Sequence, residues 1–277
     1  MIALVVDSTA YLTKAEAIAL GIKLIPMSYT IAGQTYPESY SDYNGGFEAM
    51  IARNPNCKTS QAPIATYTSA FRDLISQGYE VLCMVISSRL SGTYSSAAIA
   101  ANSVNPEKIR IVDTRSTAGG MNLLVKKAAE LIHSGAALDE VFEKLLKLRR
   151  LVGITFSVNN MDALRRSGRV GVIRQSVGTI LNIRPILLCV DGAVVADGIA
   201  RGQHEQIREL VARVPENASK IIVQSISNTA QMEPLRQALE EKLPRAGIYY
   251  GLTGPVLAIN IGLGAIGVSW ICEEPNP

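Results

Sequence analysis

A chain of 277 residues with 48% hydrophobic content has ample apolar surface for one large or two ordinary domains, which excludes an intrinsically disordered protein. Its net charge is only +3 and no basic block is interleaved with aromatics, which excludes nucleic-acid recognition by an electrostatic footprint. The four cysteines, Cys57, Cys83, Cys189 and Cys272, are widely spaced with no Cys-x-x-Cys pair, so neither a zinc knuckle nor a disulfide framework is encoded and they read as reduced thiols of a cytoplasmic protein.

Residues 2–6, IALVV, read as a first core strand, with none of the basic region or cleavage site of a signal peptide. A short helix follows, with Thr13 as its N-cap and Gly21 as its stop. Residues 23–33 read as one strand, residues 41–53 and 62–78 as helices, and the intervening KTSQAP (58–63) as a loop that displays Thr59 and Ser60. The strand-like run 80–87, the Ala-rich helix 92–104, the strand 108–113 and the helix 116–134 continue an alternation of β and α elements with apolar strands. That alternation implies a parallel sheet covered on both faces.

After the helix at 138–150 the grammar changes. Residues 185–199 read as a hairpin turning at Asp191-Gly192, and two amphipathic helices, 203–214 and 229–243, flank a strand beginning at Lys220. From Gly247 to Cys272 no residue is charged, a length that could cross a bilayer, but six glycines, Pro255, Asn260 and a tyrosine pair make it strand, loop and strand instead. The expected fold class is therefore α/β with two domains. An N-terminal parallel-sheet α/β/α domain spans residues 1–152, and a C-terminal α+β domain with a mixed sheet spans 153–277, with a ligand between them.

Polar clusters follow three strands: DSTA (7–10), SSRLSGT (87–93) and DTRS (113–116). In an open parallel sheet, ligands sit beyond the carboxyl ends of the strands, so these clusters converge on one rim. Asp7 and Asp113 fit helix capping. Ser91 offers a hydroxyl at a helix start and Gly92 lets a ligand approach the backbone. Thr59 and Ser60 suit a cap or a ligand contact equally. Among the five arginines of residues 161–185, Arg165, Arg166 and Arg174 read as a solvated helix face, whereas Arg169 follows Ser167-Gly168 in a turn. Only two histidines are present, His133 late in a helix and His204 opening one, and no Walker loop or Gly-x-Ser-x-Gly elbow occurs. Two chemistries fit the hydroxyl cluster: neutral donors that hold an anion, or Ser91 as the nucleophile of a hydrolase acting on acyl esters or phosphates.

Taken in order, DSTA, KTSQ, SSRLSGTYSSA, LRRSGRVG with LNIRPIL and a following Asp-Gly, and the terminal GP…GAIG resemble the DegV family of bacterial fatty-acid-binding proteins, nearly end to end. The resemblance implies a non-enzymatic, cofactor-free carrier that sequesters a long-chain fatty acid, its carboxylate near the surface and its acyl chain in an apolar tunnel, and presents it to a fatty acid kinase. Carried over by motif, Thr59 and Ser91 hold the carboxylate with Ser60 and Gly92 beside them, and Arg169 and Arg201 serve kinase docking or acyl-phosphate handling. The spacing offers no metal site, and neither nucleic-acid binding nor stable membrane insertion is expected from the charge and composition. Where the family pattern GPxxxxHxGPGxxG has histidine and then proline, this chain has Asn260 and Leu263, so a neutral amide replaces a titratable ring.

Overall fold

The computed structural model describes residues 1–54, 56–170, 182–226 and 229–274. Arg174 lies outside them. From the amino terminus, β1 (Ile2–Asp7) passes through a short 3-10 turn into α1 (Lys14–Ala19) and β2 (Ile22–Ile25). An excursion follows through β3 (Ser28–Ile31), β4 (Gln34–Pro37), α2 (Phe47–Arg53) and β5 (Lys58–Ser60). The alternation resumes with α3 (Ile64–Ser76), β6 (Glu80–Val85), α4 (Thr93–Val104), β7 (Ile109–Asp113), α5 (Ala118–His133) and α6 (Leu138–Leu148). Next come β8 (Val152–Ser157), α7 (Asp162–Ser167), β9 (Ile183–Val190), β10 (Ala193–Arg201) and α8 (Gly202–Ala212). The chain ends with β11 (Ala218–Ser225), α9 (Met232–Lys242), β12 (Gly247–Leu252), α10 (Pro255–Ile261) and β13 (Ile266–Cys272).

The first sheet is parallel, in the order β2-β1-β6-β7. Its strands are apolar throughout because both faces are covered, and the side-chain period of two divides them between two cores. Leu4, Val6, Leu82 and Met84 pack with Leu124 and Val125 of α5 and with Val141 and Leu145 of α6, while Val5, Val81, Cys83 and Val85 pack with Phe71 of α3 and Ala97 and Ala100 of α4. The second sheet is mixed, in the order β10-β9-β8-β13-β11-β12, with only β11 and β12 parallel. Helix α5 is the shared layer: its outer face presents Leu123 to Ile222 and Ile271 of the second sheet, which explains why its first two turns are buried all round. The two-domain α/β class expected from the alternation is the one observed.

Local signals hold where they are short-ranged. Thr13 caps α1 in a full capping box with Glu16, and Gly21 and Gly78 end their helices in the left-handed region. Asp191 and Gly192 both take positive φ, +48° and +82°, as a two-residue hairpin turn between β9 and β10 requires.

Three expectations are corrected. Residues 23–33 are not one strand. Pro26 removes a ladder donor between β2 and β3, and Met27 turns its N–H to Ser8 Oγ (3.1 Å) and its carbonyl to Glu38 N–H (2.7 Å). β3 therefore joins an unexpected small antiparallel sheet, β4-β3-β5. KTSQAP is accordingly not a free loop, because Thr59 and Ser60 pair with Tyr29 and Ser28 in β5. Finally, the uncharged segment 247–272 is strand, helix and strand: Pro255 sits in the first helical turn of α10, where its missing N–H costs nothing, and Gly262 stops the helix. Among the described residues, no helix is long and apolar enough to cross a membrane.

Candidate functional site

The carboxyl ends of β1, β6 and β7 meet as the three polar clusters predict. Asp7 caps the 3-10 turn through Thr9 N–H (2.9 Å) and also accepts Ile86 N–H from the end of β6 at 2.7 Å. Its carboxyl is fully buried, and that burial raises its pKa against the pull of those hydrogen bonds. Asp113 caps no helix, contrary to expectation. It accepts the N–H and the hydroxyl of Ser88 at 3.1 and 2.6 Å and the N–H of Arg115 at 3.0 Å, which folds the 87–92 loop back over the rim. The hairpin tip of the second sheet docks on the same rim: Ser87 Oγ donates to Gly192 O at 2.7 Å and Arg115 pairs with Asp191.

Between this rim and the second sheet lies a cavity of about 350 Å3, within the usual range for a small-molecule site. Its body is apolar, with Ile86 and Leu90 from the first half, Ile154 and Phe156 of β8, and Val256 and Ile261 of α10 among its walls. One end gathers most of the residues singled out in the sequence. Thr59, Ser60, Ser91, Gly92 and Asn260 all line it, and Arg169 stands at the margin, where its guanidinium donates to Ser167 O at 2.5 Å. Among the described residues, Arg169 is the one charged side chain in the lining.

The hydrogen bonds within this end leave hydroxyl protons to spare. Asn260 Nδ2 donates to Val256 O at 2.7 Å and to Thr59 Oγ1 at 3.3 Å, so Thr59 accepts from the amide and keeps its own O–H for another acceptor. Ser91 and Thr93 share a hydroxyl–hydroxyl bond of 2.8 Å, and Ser91 Oγ accepts Thr93 N–H at 3.3 Å. With Thr93 as donor, the Ser91 proton is also available. Gly92 leaves room for the Gln61 side chain, while its backbone angles would suit any residue. A Cβ there would overlap Gln61 Oε1, whose amide is held by Ser96 Oγ at 2.8 Å.

Arg201 is not brought to this end. It closes β10, seven residues and about 24 Å of strand beyond Val194 in the cavity wall, and its N–H donates to Glu205. His133 lies at the far end of α5 with Nδ1 against Ala129 O, and neither histidine lines the cavity.

Several site residues carried little signal. Glu38 had no place in the sequence reading, yet it is fully buried just after β4, taking hydrogen bonds from Ser8 Oγ (2.7 Å), Tyr11 Oη (3.2 Å) and Val256 N–H (2.9 Å). Tyr11 Oη in turn accepts Leu257 N–H at 3.0 Å, so α10, the helix that carries Asn260, is hung from the first half by its N-terminal N–H groups. Gln61 stood in the quoted KTSQ motif without a role. Gln224 did leave a trace, as the polar interruption of the apolar run KIIVQ.

Residues 1–273 match the family model for uncharacterised proteins of the DegV family. A DegV domain-containing protein of Deinococcus radiodurans is 30% identical over 275 residues, covering 97% of each chain. Among solved structures, a DegV lipid binding protein from Thermotoga maritima superposes with a TM-score of 0.90 at 26% identity over 99% of both chains. A DegV family protein from Thermus thermophilus, described by its fatty acid binding, gives a TM-score of 0.87 at 29% identity over 98% of this chain and 99% of its own.

Proposed function

This chain belongs to the DegV family, and from that premise we propose that it binds one long-chain fatty acid between its two sheets and presents the carboxylate to a fatty acid kinase in the cytoplasm. The observation that carries the proposal is the division of the cavity into an apolar body and one end of neutral hydroxyl donors, Thr59 and Ser91, with Asn260 orienting Thr59 and Arg169 at the margin. Each buried methylene contributes about 0.8 kcal/mol, so the acyl chain supplies the affinity and the donors set its orientation. Ser60 and Gly92 complete the carboxylate end, with Gly92 keeping room for Gln61.

No base stands beside Ser91: its hydroxyl partner is Thr93, and the lining among the described residues holds no His, Asp, Glu or Lys. That favours a carrier over the hydrolase. The kinase transfers the terminal phosphoryl group of ATP to a carboxylate oxygen, leaving ADP and an acyl phosphate, with Arg169 next to the nascent anion and Arg201 on the docking surface.

Mass spectrometry of the organic extract from purified protein tests the proposal. One long-chain acid per chain, depleted in Ser91→Ala, is the expected result. An empty protein that takes up no added fatty acid overturns it, as does turnover of an acyl ester that vanishes in Ser91→Ala.

A further inference from the structure

Away from Asn260 the cavity holds polar capacity that none of the described residues uses. Thr117 occupies the N-cap position of α5, yet its hydroxyl caps no N–H. Gln224 Oε1 takes Gly119 N–H in its place, at 2.6 Å. Among the described residues, Thr117 Oγ1 is left buried without a hydrogen-bond partner, and so is Ser269 Oγ on β13. The two residues are only 8% and 1% exposed, and both line the cavity together with Gln224. A hydrocarbon-only wall would carry valine or alanine here, because a buried hydroxyl without a partner is penalised. Neighbouring Thr253 also lines the cavity, but its hydroxyl donates to Ser225 O at 3.3 Å, and the other buried side-chain atoms without partners among the described residues, such as Ser157 Oγ and Ser225 Oγ, do not line it.

Thr253, bonded to Ser225 beside Gln224, lies just before α10 and Asn260 lies in its last turn, so about 10 Å, one short helix, separates this side of the cavity from the carboxylate end. An acyl chain therefore reaches it partway along its length. The group it matches is neutral, since among the described residues no cation lies beside Thr117, Ser269 or Gln224 and a buried anion without one is disfavoured. We propose that the preferred ligand is a hydroxylated long-chain fatty acid, its mid-chain hydroxyl bonded by Thr117, Ser269 and the Gln224 amide. This inference rests on the fatty-acid reading above and deepens it.

Displacement of a fluorescent fatty acid by stearic acid, and by monohydroxystearic acids with the hydroxyl moved along the chain, tests the assignment. At least one isomer is expected to bind about tenfold more tightly than stearic acid, and Thr117→Val/Ser269→Ala to abolish that advantage while retaining stearic acid. Stearic acid binding as tightly as every isomer overturns the inference and leaves the fatty-acid reading standing. A preference that survives in the folded double variant also overturns it. Should the double variant not fold, the comparison in the native protein decides alone. Failure of every acid to bind overturns the fatty-acid reading and this inference with it.

Discussion

Glu38 accepts the N–H of Val256, 218 residues further along the chain, at 2.9 Å and with no exposure to solvent. This bond ties the small antiparallel sheet to the helix that carries Asn260. Burial raises the pKa of the Glu38 carboxyl to about 7, against the opposing pull of the Ser8, Val256 and Tyr11 hydrogen bonds.

Because the folded pKa lies above the unfolded one, the native state holds a proton that the unfolded chain has released. The associated stability is complete below about pH 4.5 and is lost as pH rises through about 7, amounting to about 3 kcal/mol. Asp7, also raised by burial, contributes in the same direction. Glu38→Gln keeps an acceptor but cannot ionise, so denaturant titrations across this window should show a shallower decline than in the native protein. An unchanged decline would remove Glu38 from the pH response.

Ser91→Ala should weaken fatty-acid binding by roughly 1.5 to 3 kcal/mol, the value of a hydrogen bond to a charged group. The fold should be spared, since Ser91 is only half-buried and its partner Thr93 retains Met27 Sδ within 4.0 Å. Fluorescence titration beside a thermal melt separates the two effects; equal affinity in the two proteins would exclude Ser91 from the carboxylate end.

Asn260→His restores the residue of the family pattern at the position that donates to Thr59. An imidazole beside a bound carboxylate gains charge as pH falls from about 8 to about 6, so this variant should bind more tightly at the lower pH, by several-fold. The native amide lacks that component. Titration at both pH values reads the difference, and a variant whose pH dependence matches the native protein would place the carboxylate elsewhere.

Gly92→Ala should lower lipid affinity about tenfold by driving Gln61 from its bond with Ser96, while the ordinary backbone at Gly92 (φ −71°) leaves stability nearly unchanged. Adding Gln61→Ala relieves the overlap and should recover much of the loss, which a double-mutant cycle measures. Additive losses would show that the glycine serves the ligand directly.

Much of the fold was legible in the chain itself, because its determinants are local. The apolar runs of β1, β6 and β7, the Thr13–Glu16 box and the Asp191-Gly192 turn are written within a few residues of where they act. The convergence of three polar clusters followed from one topological rule about parallel sheets. Where opposing local signals met, reading failed: glycines masked α10, and Pro26 marked a change of sheet inside what looked like one strand.

The site itself depended on contacts that no local pattern encodes. By itself the sequence determined the alternating α/β grammar, the rim hydroxyls and a family resemblance resting on motif order. Only the tertiary structure decided that Thr59 meets Asn260, that Glu38 becomes a buried anchor, and that Thr117 and Ser269 face a cavity with no partner among the described residues. The reason is physical. Caps and periodicities act over one or two turns of chain, whereas hydrogen-bond satisfaction and burial belong to neighbours that the packing of two sheets around α5 brings together from distant segments.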